Sequence, residues 1–215
     1  MTSLSAPWRA ALEEAWSAYC EGSYAIGACI ADTSGKVLAR GRNRLGEARQ
    51  VSGSSETGFI AGHDLGHAEI NALLGLQVKR HPDCYGWTVY TTVEPCPQCA
   101  GAVAMSSIRG LSYAAPDPWA GAADILTGHR YVSSKQIRVN RAPADVQSAA
   151  LRMVLTSFLE SGHQTSAPFM QSFGAFAEDM RAAQLLNDLG TLRHLRERRA
   201  KLDEVLLALH LHVTD

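Results

Sequence analysis

Between residues 87 and 115 the chain reads strand, helix, strand, and that order limits the folds open to it. Residues 87–93 alternate with β-branched and aromatic side chains, as a strand does. Pro95 stops that strand, the small apolar run 96–105 suits a tightly packed helix, and residues 110–115 make a further short strand. Strands joined by a crossover helix lie parallel, with helices covering both faces of the sheet.

The flanking segments extend the pattern. Residues 7–20 place Trp8, Ala11, Leu12, Ala15, Trp16 and Tyr19 at the three-and-four spacing of an amphipathic helix. Residues 25–31 and 36–40 flank the turn Asp32-Thr33-Ser34-Gly35 and predict a β-hairpin. Residues 46–62 are rich in Gly and Ser without periodicity, so a long loop is expected there, serving as a lid or disordered. Ile70, Leu73, Leu74 and Leu76 give residues 67–76 a helical face. Downstream, a short helix is expected at 120–126, a strand at 137–139, and a helix at 143–160 with Pro143 near its first turn. After a linker at 161–168, a final helix carries Leu192, Leu195, Leu202, Leu206 and Leu209 as an apolar seam, with Arg199 in the one missing slot. Such a seam packs against the body or against another chain.

Composition narrows the setting. A chain of 215 residues, 46% hydrophobic, can bury a full core, and its net charge of −1 offers no basic excess to draw in a polyanion. No apolar run approaches membrane-spanning length, and the first residues lack a basic region followed by an apolar one, so a cytoplasmic protein without membrane contact is expected. Five cysteines, an odd and scattered set, argue against a disulfide framework. Cys20, Cys29 and Cys84 read as small buried hydrophobes, which leaves Cys96 and Cys99 as a metal or redox pair.

A Cys-x-x-Cys pair alone is compatible with redox, structural-zinc and catalytic-zinc uses. Here Pro95 places Cys96 at a helix start, where unpaired N–H groups and the helix dipole favour thiolate. Cys99, three residues on, shares its face. His67 is the obvious third ligand, and three protein ligands leave a tetrahedral zinc one position for water, whereas structural zinc usually takes four. Glu69 lies two residues beyond His67. Because residues two apart on a helix do not share a face, His67 is expected at or just before the first turn, where both side chains can still approach one ion. His-x-Glu followed by Pro-Cys-x-x-Cys is the signature of zinc-dependent base deaminases.

Gly66-His67-Ala68-Glu69-Ile70-Asn71-Ala72-Leu73 and Thr92-Val93-Glu94-Pro95-Cys96-Pro97-Gln98-Cys99-Ala100-Gly101-Ala102 closely resemble the cytidine deaminase-like superfamily, in its branch of bacterial tRNA adenosine deaminases and guanine deaminases. The resemblance spans about residues 6 to 160. It implies a three-layer α/β/α fold around a mixed five-stranded sheet, with residues 1–160 as the deaminase domain and 161–215 as a helical C-terminal extension. It also implies Zn2+ on His67, Cys96 and Cys99, which would lower the pKa of a water toward about 7. Glu69 would take that water's proton and pass it to the ring nitrogen and the departing amine. Asn43, in Gly41-Arg42-Asn43-Arg44, resembles the family's base-contacting asparagine. Asp117 follows Tyr113-Ala114-Ala115-Pro116, near where guanine deaminases keep a substrate-handling acidic residue.

The sequence also departs from that family. Arg44 follows Asn43 where tRNA-directed members commonly have proline, and His63-Asp64-Leu65-Gly66 replaces the more usual Asp-Pro-Thr-Ala. Both changes border the expected substrate pocket. The basic cluster Arg193, Arg196, Arg198, Arg199 and Lys201 offers a phosphate- or RNA-binding alternative, but the interleaved Glu197 and Asp203 and the leucine seam favour a solvated helix face. The expectation is therefore a homodimeric deaminase of a small aminated base or nucleoside. A tRNA adenosine-to-inosine enzyme is the first alternative, and a deaminase fold used as a non-catalytic binding module the second.

Overall fold

A computed structural model of the chain describes residues 2–53, 58–77, 80–211 and 213–214. Thr2–Ser3 (β1) leads into Ala6–Cys20 (α1), and the hairpin Gly27–Ala31 (β2) and Val37–Arg42 (β3) follows. Gln50–Gly53 (β4) and Gly58–Ala61 (β5) precede Ala68–Leu74 (α2). Thr88–Val93 (β6), Pro97–Met105 (α3) and Gly110–Ala115 (β7) form the strand–helix–strand unit. Two single turns, Ile125–Gly128 (α4) and Arg130–Ser133 (α5), lead to Arg138–Arg141 (β8) and the long helix Ala144–Glu160 (α6). The C-terminal part holds Pro168–Gln171 (α7), Ala177–Asp188 (α8), Thr191–Glu197 (α9) and Leu202–Ala208 (α10). Val213–Thr214 (β9) pairs in parallel with β1.

The central sheet has five strands in the order β3-β2-β6-β7-β8. β2 is antiparallel to both β3 and β6, whereas β6, β7 and β8 are parallel. The sheet is therefore mixed, with β3, β6 and β7 running the same way. Alternate residues of β2 point to opposite faces: Ala28 and Ile30 join Ala68, Ala72, Ala100 and Val103 in one apolar cluster, and Cys29 joins Trp8, Ala11 and Leu12 in the other. Helices α2 and α3 thus cover one face and α1 and α6 the other, as the three-layer expectation requires.

Two glycines set how closely the helices approach. A Cβ at Gly27 would overlap Ala11 O and Ala15 N of α1, and one at Gly41 would overlap Ala68 O and Ala72 N of α2. Gly27 pairs in register with Arg42 and Gly41 with Ala28, so the two glycines face opposite layers. Each lets helix backbone rest directly on strand backbone, which no residue with a side chain would allow.

Three expectations are corrected. Residues 46–62 are not simply a loop, because β4 and β5 pair antiparallel within them; the intervening residues 54–57 lie outside the described set. In place of a helix at 120–126 there is a turn followed by α4 and α5, since the carboxylate of Asp117 accepts bonds from Trp119 N and Ala120 N and folds the chain back. The final helix is broken into α8, α9 and α10. Gly190 ends α8 at φ 61, and Arg199 ends α9 at φ 54, with Ala200 N bonding Leu195 O and Arg199 N bonding Arg196 O. This is the Schellman pattern of helix termination. The seam residues Leu192, Leu195, Leu202, Leu206 and Leu209 remain buried, packed in the cluster that holds Trp16 and α6. Among the described residues no helix is long and apolar enough to cross a membrane.

The close approach at Gly41 positions α2, and with it His67 and Glu69. Gly41→Ala is expected to destabilise the fold by about 1–3 kcal/mol through overpacking against helix backbone. A lowered urea midpoint with unchanged slope is the expected reading, and an unshifted midpoint would show that α2 can move away freely.

Candidate active site

β6 runs straight into the site. Its last residues are followed by Glu94 and Pro95, and Cys96 is the N-cap of α3 in extended backbone at φ −67, ψ 171. His67 is the N-cap of α2 in the same conformation, φ −74, ψ 157. Each N-cap carbonyl accepts the first bond of its helix, from Ala100 N and Asn71 N respectively. The two helices thus begin at the same place, and their unpaired N–H groups and dipoles point at it.

His67 Nδ1 lies 3.5 Å from Cys96 Sγ and 3.5 Å from Cys99 Sγ. The three donor atoms all fall within 4.8 Å of one another, so this group could hold a metal ion. The hydrogen bond from the Cys99 thiol, with a further one from His67, holds Cys96 well below the ordinary thiol range. That same bond, together with burial, pushes Cys99 up. Contact with Cys96 raises His67. Two sulfurs and an imidazole nitrogen this close together form a donor set that a divalent ion satisfies by displacing thiol protons, and thiolate with imidazole suits zinc.

Glu69 is in the first turn of α2 and only 3% exposed. It stands beside the donor set without belonging to it. Its Oε1 accepts a bond from Thr91 Oγ1 at 2.9 Å, and burial raises its pKa above the ordinary carboxylate value. The extended N-cap at His67 is what lets two residues at i and i+2 approach one point.

Asn43 and Asp117 lie on the loops that follow β3 and β7, at the same end of the sheet as Cys96. Asn43 is buried, its Oδ1 accepting from Leu45 N at 3.0 Å. The Asp117 loop rests on the residues before Cys96: Asp117 N donates to Glu94 Oε2 at 3.3 Å and Ala122 N to Pro95 O at 2.9 Å. Both side chains organise their own loops, while His67, Glu69, Cys96 and Cys99 converge.

Two positioning residues escape sequence reasoning. Thr91 looks like any β-branched strand residue, and only the fold reveals that it faces Glu69. Asn71 is buried at 3% exposure. Its Oδ1 accepts from Ile60 N at 2.8 Å, and its Nδ2 donates to Ile60 O at 3.0 Å and Arg42 O at 3.1 Å. One carboxamide therefore ties β5 and the end of β3 to the helix that carries Glu69. A polar side chain amid the apolar face of 67–76 was the available signal.

Residues 1–115 match the cytidine and deoxycytidylate deaminase zinc-binding region, and the chain belongs to that family. Among its relatives, the tRNA-specific adenosine deaminase of Agrobacterium fabrum is 36% identical over 123 residues, 57% of this chain and 71% of that protein. The cytosine deaminase of Candida albicans is 31% identical over 102 residues, 46% of this chain and 57% of that protein. A solved tRNA:A34 deaminase, studied for A-to-I editing at the wobble position, is 28% identical with a TM-score of 0.50, covering 67% of this chain and 95% of its own.

Purified protein is expected to carry one zinc per chain by elemental analysis. His67→Ala, Cys96→Ala and Cys99→Ala should each lose it, whereas Glu69→Gln should retain it. Full zinc in Cys96→Ala would show that the ligand set is different.

Proposed function

We propose that this chain is a zinc-dependent hydrolytic deaminase that converts an amino-bearing nucleobase, nucleoside or related heterocycle to its keto form with release of ammonia. The observation that carries the reading is the placement of Glu69: a buried carboxylate fixed by Thr91 beside a three-donor cluster of which it is not a member. A purely structural metal site has no use for such a group. His67, Cys96 and Cys99 would hold the zinc, which when bound would supply the Lewis acidity that makes water nucleophilic at neutral pH. Glu69 takes the proton of the attacking water and delivers it to the ring nitrogen beside the amino-bearing carbon. It then takes the remaining proton from the newly attached hydroxyl and gives it to the amine as the C–N bond breaks, leaving the keto group and ammonia. Thr91 holds the carboxylate in line for both transfers. Asn43 and Asp117, at the same end of the sheet, are the substrate-contact candidates.

The catalytic unit comprises residues 1–160, and 161–215 form a helical extension. We take the working form to be a cytoplasmic homodimer. An apolar hollow of about 460 Å³ between α2 and α3, lined by Leu73, Leu76 and Ala102 with the well-exposed Met105, supports that reading. Light scattering should return twice the chain mass, and a monomer at micromolar concentration would contradict it.

A tRNA adenosine-to-inosine activity is the second reading, favoured by the likeness to the Agrobacterium enzyme. The two separate in one experiment: ammonia release from guanine, adenine, cytosine and their nucleosides, run beside inosine formation on tRNA. Glu69→Gln is expected to keep metal and fold yet lower turnover roughly 10²- to 10⁴-fold on whichever substrate responds. Near-normal turnover in that variant would overturn the role of Glu69. Silence of the zinc-loaded protein on every substrate would favour a binding module instead.

A further inference from the structure

The C-terminal extension meets the body of the protein around a cavity of about 340 Å³ that contains none of the four converging residues. Its wall is built from the end of α1, the end of α6 and one face of α9. Arg193 and Arg196, three apart on α9 and so on one face, both line it. Among the described residues neither guanidinium forms an ion pair, whereas Arg198, just beyond, is paired with Glu204 at 2.6 Å. Arg196 is held in place by stacking, its guanidinium 5.1 Å from the Tyr19 ring, and Tyr19 stacks in turn on Trp16.

Glu160 lines the cavity with the arginines. Its Oε2 accepts a bond from Tyr19 Oη at 2.6 Å, but its Oε1 is buried with no hydrogen-bond partner among the described residues. A buried carboxylate oxygen without a donor is costly, and Glu160 lines the same cavity as two arginines without an ion pair. The wall also includes Ser23, whose Oγ accepts from Gly46 N at 3.0 Å, so the cavity abuts the turn that begins at Asn43.

We propose that this cavity is a binding site for a phosphorylated sugar, free or as part of a mononucleotide. Two guanidiniums with forked donors match a phosphate dianion. The Glu160 carboxylate matches a sugar hydroxyl, the donor that acidic side chains recognise in riboses elsewhere. A bare anion satisfies the arginines but is repelled by Glu160, and an unphosphorylated sugar leaves both arginines unmet, so both parts of the ligand are required. The cavity volume lies within the range of small-ligand pockets.

Calorimetric titration of the full-length protein with inorganic phosphate, ribose, ribose 5-phosphate and uridine 5′-monophosphate tests this without any reliance on turnover. Ribose 5-phosphate or the nucleotide should bind saturably at one site per chain, at least roughly 10-fold more tightly than phosphate or ribose alone. Whichever of the two is tighter identifies the source. Arg193→Ala and Glu160→Gln should each weaken that binding by roughly 10-fold or more, as loss of a charge-assisted bond implies. Glu160→Gln can still accept from Tyr19, so its melting temperature should hold. Arg130→Ala, which removes an equal charge from an exposed position on α5, should bind as the unaltered chain does. Absence of binding by both phosphorylated probes, equal binding of phosphate alone, or indifference to Arg193→Ala and Glu160→Gln would each overturn the proposal.

Discussion

Two helices starting at one point constrain everything around the site. His67 and Cys96 are both extended N-cap residues, and each lies one residue outside regular helix, where backbone direction still allows a side chain to turn across the helix axis. Had either residue been one position further in, its side chain would follow the helix surface away from the partner. The rest of the layer serves this coincidence. Gly41 lets α2 settle on β3 by backbone contact, β6 delivers Cys96 through Pro95, and Asn71 fastens β5 and the end of β3 to α2. Mixed strand direction matters as well, because it brings the ends of β3, β6 and β7 to the same side of the sheet. Ligand sites of open α/β sheets lie at such carboxyl ends.

β6 links the metal donors to the proton-handling group. Thr91 holds Glu69 from one side of the strand, and four residues after Thr91 the same strand has become the turn into Cys96. A shift of β6 along its neighbours would therefore displace the carboxylate support and the thiols together. Its placement between β2 and β7, paired on both edges, makes that shift the least available motion in the sheet.

Periodicity carried most of the fold. The alternation of residues 87–93 and the three-and-four spacing of residues 7–20 each correspond to an element with similar bounds, because burial on one face leaves its mark on residue type. The hairpin β4–β5 left no such mark. Its four-residue strands, set in a Gly- and Ser-rich segment, are joined by backbone bonds and clipped by the side chain of Asn71, none of which requires apolar alternation. The leucine seam misled in the opposite way. Its spacing runs unbroken through Arg199, yet a left-handed residue there splits one helix into two that still bury the same leucines. Apolar spacing reports which residues face the core and is blind to a non-glycine turn between them. Of the site, the four residues that meet chemistry were readable because their types are rarely interchangeable, whereas Thr91 and Asn71 act through positions that only the folded chain defines.

Charge placement beside the site bears on what can approach it. In sequence, Arg40, Arg42 and Arg44 alternate along and just past β3 and flank Asn43, a pattern that could pass for a phosphate-binding stripe. In the fold each is already engaged. Arg40 pairs with Glu13 at 2.5 Å, and Arg42 and Arg44 both pair with Glu47 at 2.9 Å. The Arg42–Glu47 pair retains only 12% and 17% side-chain exposure, so separating it would strand a poorly solvated charge, a far larger penalty than loosening a surface pair. A polyanion gripping this edge would have to break those pairs and meet their carboxylates, and it would gain little counterion release from cations already neutralised. A small neutral ring approaching the loops after β3, β6 and β7 disturbs none of them. The compensation of charge around Asn43, more than the net charge of the chain, is therefore the physical argument behind the proposed small-molecule reading.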